Sequence, residues 1–257
     1  KNQVVVDEAT DFSPIQLACM AALAHPGIRS FFACGDFNQR LTTWGSRSID
    51  ELKWIFPDIE VKEVTVSYRH SRQLNELARS IIKAVGGKDQ GIILPEHVDN
   101  EGVSPALFES ASEEEQVVNW LASRIREIEK FVGQLPSTAI FVNSETEVER
   151  VASALNVALA EHNIKVVACM NGQVMGQDND VRVFDIRHIK GLEFEAVFFI
   201  AIDYLAEQQP ELFDKYLYVG ITRAATYLGI TCNKVLPTSI STLHQMFVND
   251  WSTSISI

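Results

Sequence analysis

Five short strings in this chain hold residue types that could do chemistry. Val4–Ala9 reads VVVDEA, an apolar run that stops at Asp7-Glu8. A carboxylate at the carboxyl end of a parallel strand stands where such folds bind ligands. Asp7 there can hold Mg2+, and Glu8 beside it can accept a proton from an attacking water. The same pair also suits the start of a helix, where acidic side chains complement the dipole. Cys34–Gln39, CGDFNQ, follows a second apolar run. Gly35 permits a tight turn, Asp36 can cap, and the Gln39 amide can reach a phosphate or a water. Val66–Ser71, VSYRHS, offers the flat face of Tyr68 to a base and the fork of Arg69 to a phosphate. Ile189–Phe199, IKGLEFEAVFF, places Gly191 and Glu193 just before the strongest apolar run, and Tyr218–Ala224, YVGITRA, places Thr222 and Arg223 before the last one. Taken singly, each string has an ordinary structural reading: a turn, a boundary tyrosine, a solvent-facing arginine.

The elements that must position these residues alternate between short β-branched or aromatic runs and longer helical stretches, the pattern of α/β layering with a mostly parallel sheet. Strands are expected at Val4–Val6, Ser30–Cys34, Glu60–Val66, Ala106–Glu109, Thr138–Val142, Val166–Met170, Val181–Ile186, Ala196–Ile202 and Tyr227–Cys232. Ser13-Pro14 supplies an N-cap and a first-turn proline for a helix through Ala24, and Ile49–Phe56 reads as another. From Arg72 to Val85 apolar residues recur at Leu74, Leu77, Ala78, Ile81 and Ile82, which is helical spacing. Ser112 with Glu115 forms a capping-box pattern for a helix to Phe131, and Glu145–Asn163 and Glu211–Ala225 read as helices. The polar segment Lys88–Ser104 reads as a surface loop.

Composition sets bounds on function. With 46% hydrophobic and 22% charged residues the chain is neither disordered nor low in complexity. No apolar run reaches the roughly 18 residues of a membrane span, and no secretory signal opens the sequence, so a cytoplasmic location is expected. The net charge of −12 argues against a broad basic surface wrapped in nucleic acid, while leaving room for a narrow basic track. Cys19, Cys34, Cys169 and Cys232 lie too far apart for a zinc knuckle or a CxxC pair and are expected as reduced, buried thiols.

The order and spelling of the five strings resemble motifs II to VI of superfamily 1 helicases of the UvrD/Rep-like group. VVVDEATDFSP resembles the acidic hydrolysis motif, GDFNQRLTTWG the GDxxQ motif with Trp44 at the expected distance, and SYRHS the Tyr-Arg motif; KGLEF and YVGITRA are the most distinctive. The likeness runs from about Val4 to Thr231. It implies two RecA-like (P-loop NTPase-type) α/β units with parallel sheets: residues 1–66 as the trailing part of a first motor domain, residues 67–250 as a complete second domain, and a polar, frayed tail over 251–257. It implies ATP and Mg2+ as cofactors, with Asp7 as metal ligand, Glu8 activating water, Gln39 sensing the γ-phosphate and Trp44 stacking on a base. Tyr68 would stack on adenine, Arg69 would touch the γ-phosphate, Gly191 and Glu193 would meet the nucleotide, and Arg223 would be the arginine finger. Arg187 and His188 fall in the segment expected at nucleic acid. In that family the arginines come from the second domain and reach a nucleotide held mainly by the first, so that closure and reopening drive steps along a strand.

The departures are equally specific. No GxxxxGK[ST] phosphate loop occurs in the sequence. The expectation is therefore a late-beginning part of an ATP-dependent DNA helicase or translocase, moving 3′ to 5′ on single-stranded or partly duplex DNA. It would be inactive alone and would depend on a phosphate-loop region of the same protein upstream. A non-catalytic scaffold that keeps the helicase shape, or an RNA-directed motor, are the alternatives. Where the family has Thr and His, this chain has Asp185 and Arg187; an Asp there would repel a phosphate and an Arg would attract one. Only about 120 residues separate the Tyr-Arg motif from KGLEF, too few for the large subdomain that UvrD and Rep insert there.

Overall fold

A computed structural model describes residues 1–42, 44–64, 70–85 and 100–252. The chain divides into two compact units, Lys1–Val64 and Thr65–Ile257.

In the first unit, strands β1 (Gln3–Val6) and β2 (Ser30–Ala33) pair in parallel, with Val4 opposite Phe31 and Val6 opposite Ala33. Helix α1 (Pro14–Ala21) starts as its sequence demands. The Ser13 hydroxyl accepts from the Gln16 backbone N–H, and the Gln16 side chain accepts from the Ser13 N–H at 2.8 Å. Helix α2 (Ile49–Ile55) is capped by Ser48, which accepts from Glu51 N–H. One face of the strand pair packs Val4, Val6, Phe31 and Ala33 against Leu17, Met20, Leu52 and Phe56. The alternate residues Val5 and Phe32 are exposed, as the period of two requires. Of the strand expected over Glu60–Val66, residues 60–64 carry no strand, and residues 65–66 lie outside the described ones. Alternation is not enough without a ladder partner. Glu60 pairs with Lys62 on the surface, and Val64 is 92% exposed.

The second unit is a six-stranded, all-parallel sheet. Its strands are β3 (Ala106–Phe108), β4 (Thr138–Val142), β5 (Val166–Ala168), β6 (Val181–Asp185), β7 (Phe194–Phe199) and β8 (Ala224–Thr231), in the order β3-β8-β7-β4-β6-β5. Helices α4 (Glu114–Val132) and α5 (Glu145–Leu159) close one face through Leu121, Ile125, Val148 and Leu155 over Ile140, Val183, Ala196 and Phe198. On the other face Phe141, Phe184, Phe194 and Phe199 form an aromatic layer, beneath α7 (Phe213–Ile221), which packs against α3 (Arg72–Ala84). Cover on both faces explains why β4 and β6 are buried at every position, although β6 also buries two charged side chains, Arg182 and Asp185. The five apolar residues expected on the buried face of α3 are all buried.

Several boundaries differ from expectation. Helix α4 begins at Glu114 with Glu113 at its N-cap and no side-chain cap bond, so Ser112 does not cap it. Helix α5 stops at Leu159, a short 3-10 turn follows, and Asn163 adopts the left-handed conformation. Strand β7 ends at Phe199, and a further helix, α6 (Ile202–Gln208), occupies the end of the expected strand. Trp251, the first residue of the expected frayed tail, is held in place instead. Trp251 is 1% exposed, its Nε1 donates to Ser104 O at 2.8 Å, and its ring meets Tyr227 and Phe198. Residues 253–257 lie outside the described ones.

Candidate functional site

In the first unit the acidic pair sits at the carboxyl ends of two adjacent parallel strands. Asp7 follows β1, and its Oδ1 accepts from Glu8 N–H at 2.8 Å. Glu8 adopts φ +50°, a left-handed conformation uncommon for a residue with a side chain. Cys34, directly after β2, places its thiol 3.1 Å from the same Asp7 oxygen. That hydrogen bond, with partial burial and the charges of Asp7 and Glu8, pushes the Cys34 thiol up from its ordinary value. Cys34 and Cys19 are exposed, which corrects the expectation of four buried thiols; Cys169 and Cys232 are buried. Gly35 is needed for close approach, since a Cβ there would lie 3.1 Å from the backbone N of Ala9 and of Thr10. The Gln39 side chain donates to Asp36 Oδ2 at 3.1 Å, and Thr10 donates to Asp36 O.

The loop carrying Trp44 is stapled to the segment that leaves Glu8. Ser46 donates to Phe12 O through both N–H (2.9 Å) and Oγ (2.8 Å), and Thr42 Oγ1 donates to Asp11 O at 3.2 Å. A Cβ on Gly45 would stand 2.2 Å from Thr10 O. Trp44 itself is 65% exposed, which excludes a core-packing role for the ring.

In the second unit the named residues separate to opposite ends of the sheet. Tyr68 and Arg69 lie outside the described residues. The chain that follows them is tied to the beginning of β8: His70 Nδ1 is 2.9 Å from Ala224 O, and Ser71 N–H donates to Ala225 O at 2.8 Å. Arg223, immediately before β8, is 6% exposed. Burial excludes the solvent-facing reading, and Nη1 points to Leu192 O at 3.5 Å. Phe194 N–H donates to Arg223 O at 3.0 Å. The KGLEF turn and Arg223 therefore meet at the amino ends of β7 and β8. Gly191 has φ +76° with open space where a Cβ would stand, so its conformation, not crowding, calls for glycine. Glu193 is exposed.

Arg187 and His188 lie instead at the carboxyl end of β6, in a 3-10 turn over Ile186–His188. Asp185 closes that strand with no exposed surface and accepts from Arg187 four times: Oδ1 from the backbone N–H at 2.8 Å and from Nε at 3.0 Å, and Oδ2 from Nε at 3.0 Å and Nη2 at 2.5 Å. Burial pushes the Asp185 carboxyl up, but the hydrogen bonds and charge of Arg187, with His188 nearby, outweigh it and hold the carboxyl below its ordinary value; Arg187 is raised in turn. The expected repulsion of a phosphate by Asp185 thus has its charge already matched. His188 Nε2 stands 3.5 Å from Glu145 Oε2 at the start of α5, while Glu145 Oε1 accepts from Asn171 N–H. Glu145 and the anchoring role of Asp185 were missed from sequence; the latter depends on the 3-10 turn that follows β6.

Residues 180–231 match the UvrD-like helicase C-terminal domain. The matched span holds β6, β7 and β8, the KGLEF turn, Asp185, Arg187 and Arg223. Among solved structures, the C-terminal domain of a possible DNA helicase from Lactobacillus plantarum WCFS1 superposes with TM-score 0.52 at 20% identity, covering 72% of this chain and 99% of that one. The arterivirus nonstructural protein 10 helicase matches with TM-score 0.47, both alone (15% identity) and in its complex with DNA (16%), covering 95% of this chain; the chain spans 42% of that protein. No curated protein matches the sequence. The fold is α/β of the RecA-like type, and the chain carries a helicase-like domain. No helix among the described residues is long and apolar enough to cross a membrane.

The Mg2+ that this fold family implies would find few donors here. Among the described residues no group of three or more His, Cys, Asp or Glu could hold a metal. Mg2+ does not need such a cage, since it binds through one or two carboxylates and completes its shell with water and phosphate oxygens. The hard oxygens of Asp7 fit that role. A phosphate cradle is a different matter, because the sequence contains no GxxxxGK[ST] string.

Proposed function

We propose that the chain forms part of an ATP-dependent DNA helicase or translocase that works in the cytoplasm and moves 3′ to 5′ along single-stranded DNA. The observation that supports this most is the staple in the first unit: the backbone leaving Asp7-Glu8 is hydrogen-bonded to the loop that holds an exposed tryptophan. A hydrolysis site and a base-stacking ring would need such a connection for one to move the other. In this reading Asp7 holds Mg2+, which when bound offsets phosphate charge. Glu8 takes the proton of the attacking water, and Gln39 orients at the γ-phosphate. Tyr68, Arg69, Gly191 and Glu193 hold the nucleotide, and Arg223 stabilises charge developing in phosphoryl transfer. Arg187 and His188 contact the nucleic-acid backbone.

The test is binding of a fluorescein-labelled oligo(dT) to the 257-residue chain by anisotropy. Stacking contributes about 1–3 kcal/mol per base, so Trp44→Ala should weaken binding about 5- to 150-fold, and Trp44→Phe should retain most of it. Equal affinities for wild type and Trp44→Ala would remove the basis of the proposal. Competition by oligo(U) decides between DNA and RNA. One sequence fact favours a second reading, a scaffold that keeps the shape without using ATP: the phosphate-loop string is absent. Joining the chain to a phosphate-loop region and finding no ATP turnover, with DNA affinity indifferent to nucleotide, would establish it.

A further inference from the structure

Asp185 has no exposed surface, whereas the Arg187 side chain is 57% exposed. The carboxylate engages Nε, Nη2 and the backbone N–H of Arg187, which fixes the plane and direction of the guanidinium. Nη1 makes no hydrogen bond among the described residues, and the side chain is more than half exposed at the carboxyl end of β6. Glu145, whose charge also acts on Arg187, is engaged by His188 and by Asn171 N–H. A guanidinium anchored on one edge by a buried acid and open on the other is pre-organised for a tetrahedral oxyanion, because its planar fork loses little freedom on binding.

We propose that Asp185 is a positioning residue that locks Arg187 to receive one phosphate of a nucleic-acid backbone. The inference rests on the proposed function, and it reverses the sign expected of an acid at this place. Simple electrostatics says that removing a carboxylate near a bound phosphate tightens binding. Positioning says the opposite: without Asp185 the Arg187 side chain swings freely and the contact weakens.

The experiment is oligo(dT) binding by anisotropy from 50 to 200 mM salt, for wild type, Asp185→Asn, Arg187→Ala, Arg187→Lys and the Asp185→Asn/Arg187→Ala double variant, each checked for folding by circular dichroism and melting. Asp185→Asn should bind about three- to tenfold more weakly, the scale of one exposed charge-assisted contact. The slope of log affinity against log salt should fall by about 0.7, the value for one phosphate on a single strand. Arg187→Lys, which keeps the charge but not the fork, should resemble Asp185→Asn. In the double variant, losing Arg187 should add little to the loss from Asp185. Tighter or unchanged binding by folded Asp185→Asn overturns the inference while leaving the proposed function standing. An unfolded Asp185→Asn passes the decision to Arg187→Lys, whose wild-type affinity would overturn it equally. Wild type that fails to bind oligo(dT) overturns both.

Discussion

Gly220 in YVGITRA invites the substitution that helix propensity favours and packing forbids. It lies inside α7, where replacing glycine by alanine ordinarily stabilises a helix by about 1 kcal/mol. Here an added Cβ would stand 1.8 Å from Cζ of Phe199, and 2.5 and 2.8 Å from Cε2 and Cε1. The ring cannot step aside cheaply: Phe199 is 1% exposed and stacks on Phe141 with centroids 5.5 Å apart. Overpacking a dense core costs about 1–3 kcal/mol, and a contact this short belongs at the upper end. The net expectation for Gly220→Ala is about 2 kcal/mol of destabilisation after subtracting the propensity gain. That corresponds to about 4–8 °C in melting temperature for a unit of this size. Arg223 N–H donates to Gly220 O at 3.1 Å, so displacing α7 also displaces the arginine. Urea unfolding followed by tryptophan emission is the suitable assay. Trp44 and Trp54 are already 65% and 79% exposed, so the spectral shift reports Trp120 and Trp251 in the second unit. A Gly220→Ala chain as stable as wild type, or more so, would refute the packing argument.

Trp251→Ala should cost about 3–5 kcal/mol, the range for deleting a buried aromatic ring, because the ring closes the core under Phe198 and Tyr227 and holds Ser104 O; an unchanged urea midpoint would show that the chain end contributes nothing. Iodoacetamide followed by mass spectrometry should label Cys19 first. Cys34 should follow more slowly because Asp7 and Glu8 disfavour its thiolate, and Cys169 and Cys232 should react only on unfolding. Labelling of Cys34 as fast as Cys19 would contradict the contact with Asp7.

What could be read in advance follows from how each residue's environment is encoded. The α3 face was legible because Leu74, Leu77, Ala78, Ile81 and Ile82 repeat with the helical period. Strand β4 was legible because it is buried on both faces and, after Thr138, reads AIFV without a break; β6 was legible from Val181, Val183 and Phe184 despite the buried Arg182 and Asp185. The start of helix α6 was hidden because the run AVFFIAI, Ala196–Ile202, looks like one strand. The break falls at Ala201, which adopts φ +51° with its N–H donating to the buried Thr231 hydroxyl. Alanine does not announce a left-handed turn; only the tertiary partner does. Residues 60–64 show the converse, an alternating pattern that pairs with no strand among the described residues. At the candidate site the acidic pair after β1 could be placed from its strand. The grip of Asp185 on Arg187 could not, because it depends on the 3-10 turn folding the arginine back on the carboxylate.

The same turn begins the most economical connection in the sheet. Parallel strands are ordinarily joined by a dozen or more residues, usually with a helix among them. Strands β6 and β7 are separated by β4 in the sheet order and are joined by residues 186–193 alone. That stretch must run from the carboxyl end of β6, level with Val142, to the amino end of β7, where Ala196 is level with Thr138. Two of its residues, Ile186 and Ile189, are buried to 2% and 0% exposure and fasten it to the core. Arg187 and His188 therefore stand at one end of the strands, and Gly191 and Glu193 at the other, beside Arg223. A connection so short, pinned by two isoleucines, leaves little slack between the two ends. Within the second unit, Gly191, Glu193 and Arg223, proposed for nucleotide, and Arg187 and His188, proposed for nucleic acid, occupy opposite ends of one sheet because the chain that carries them has no shorter way across.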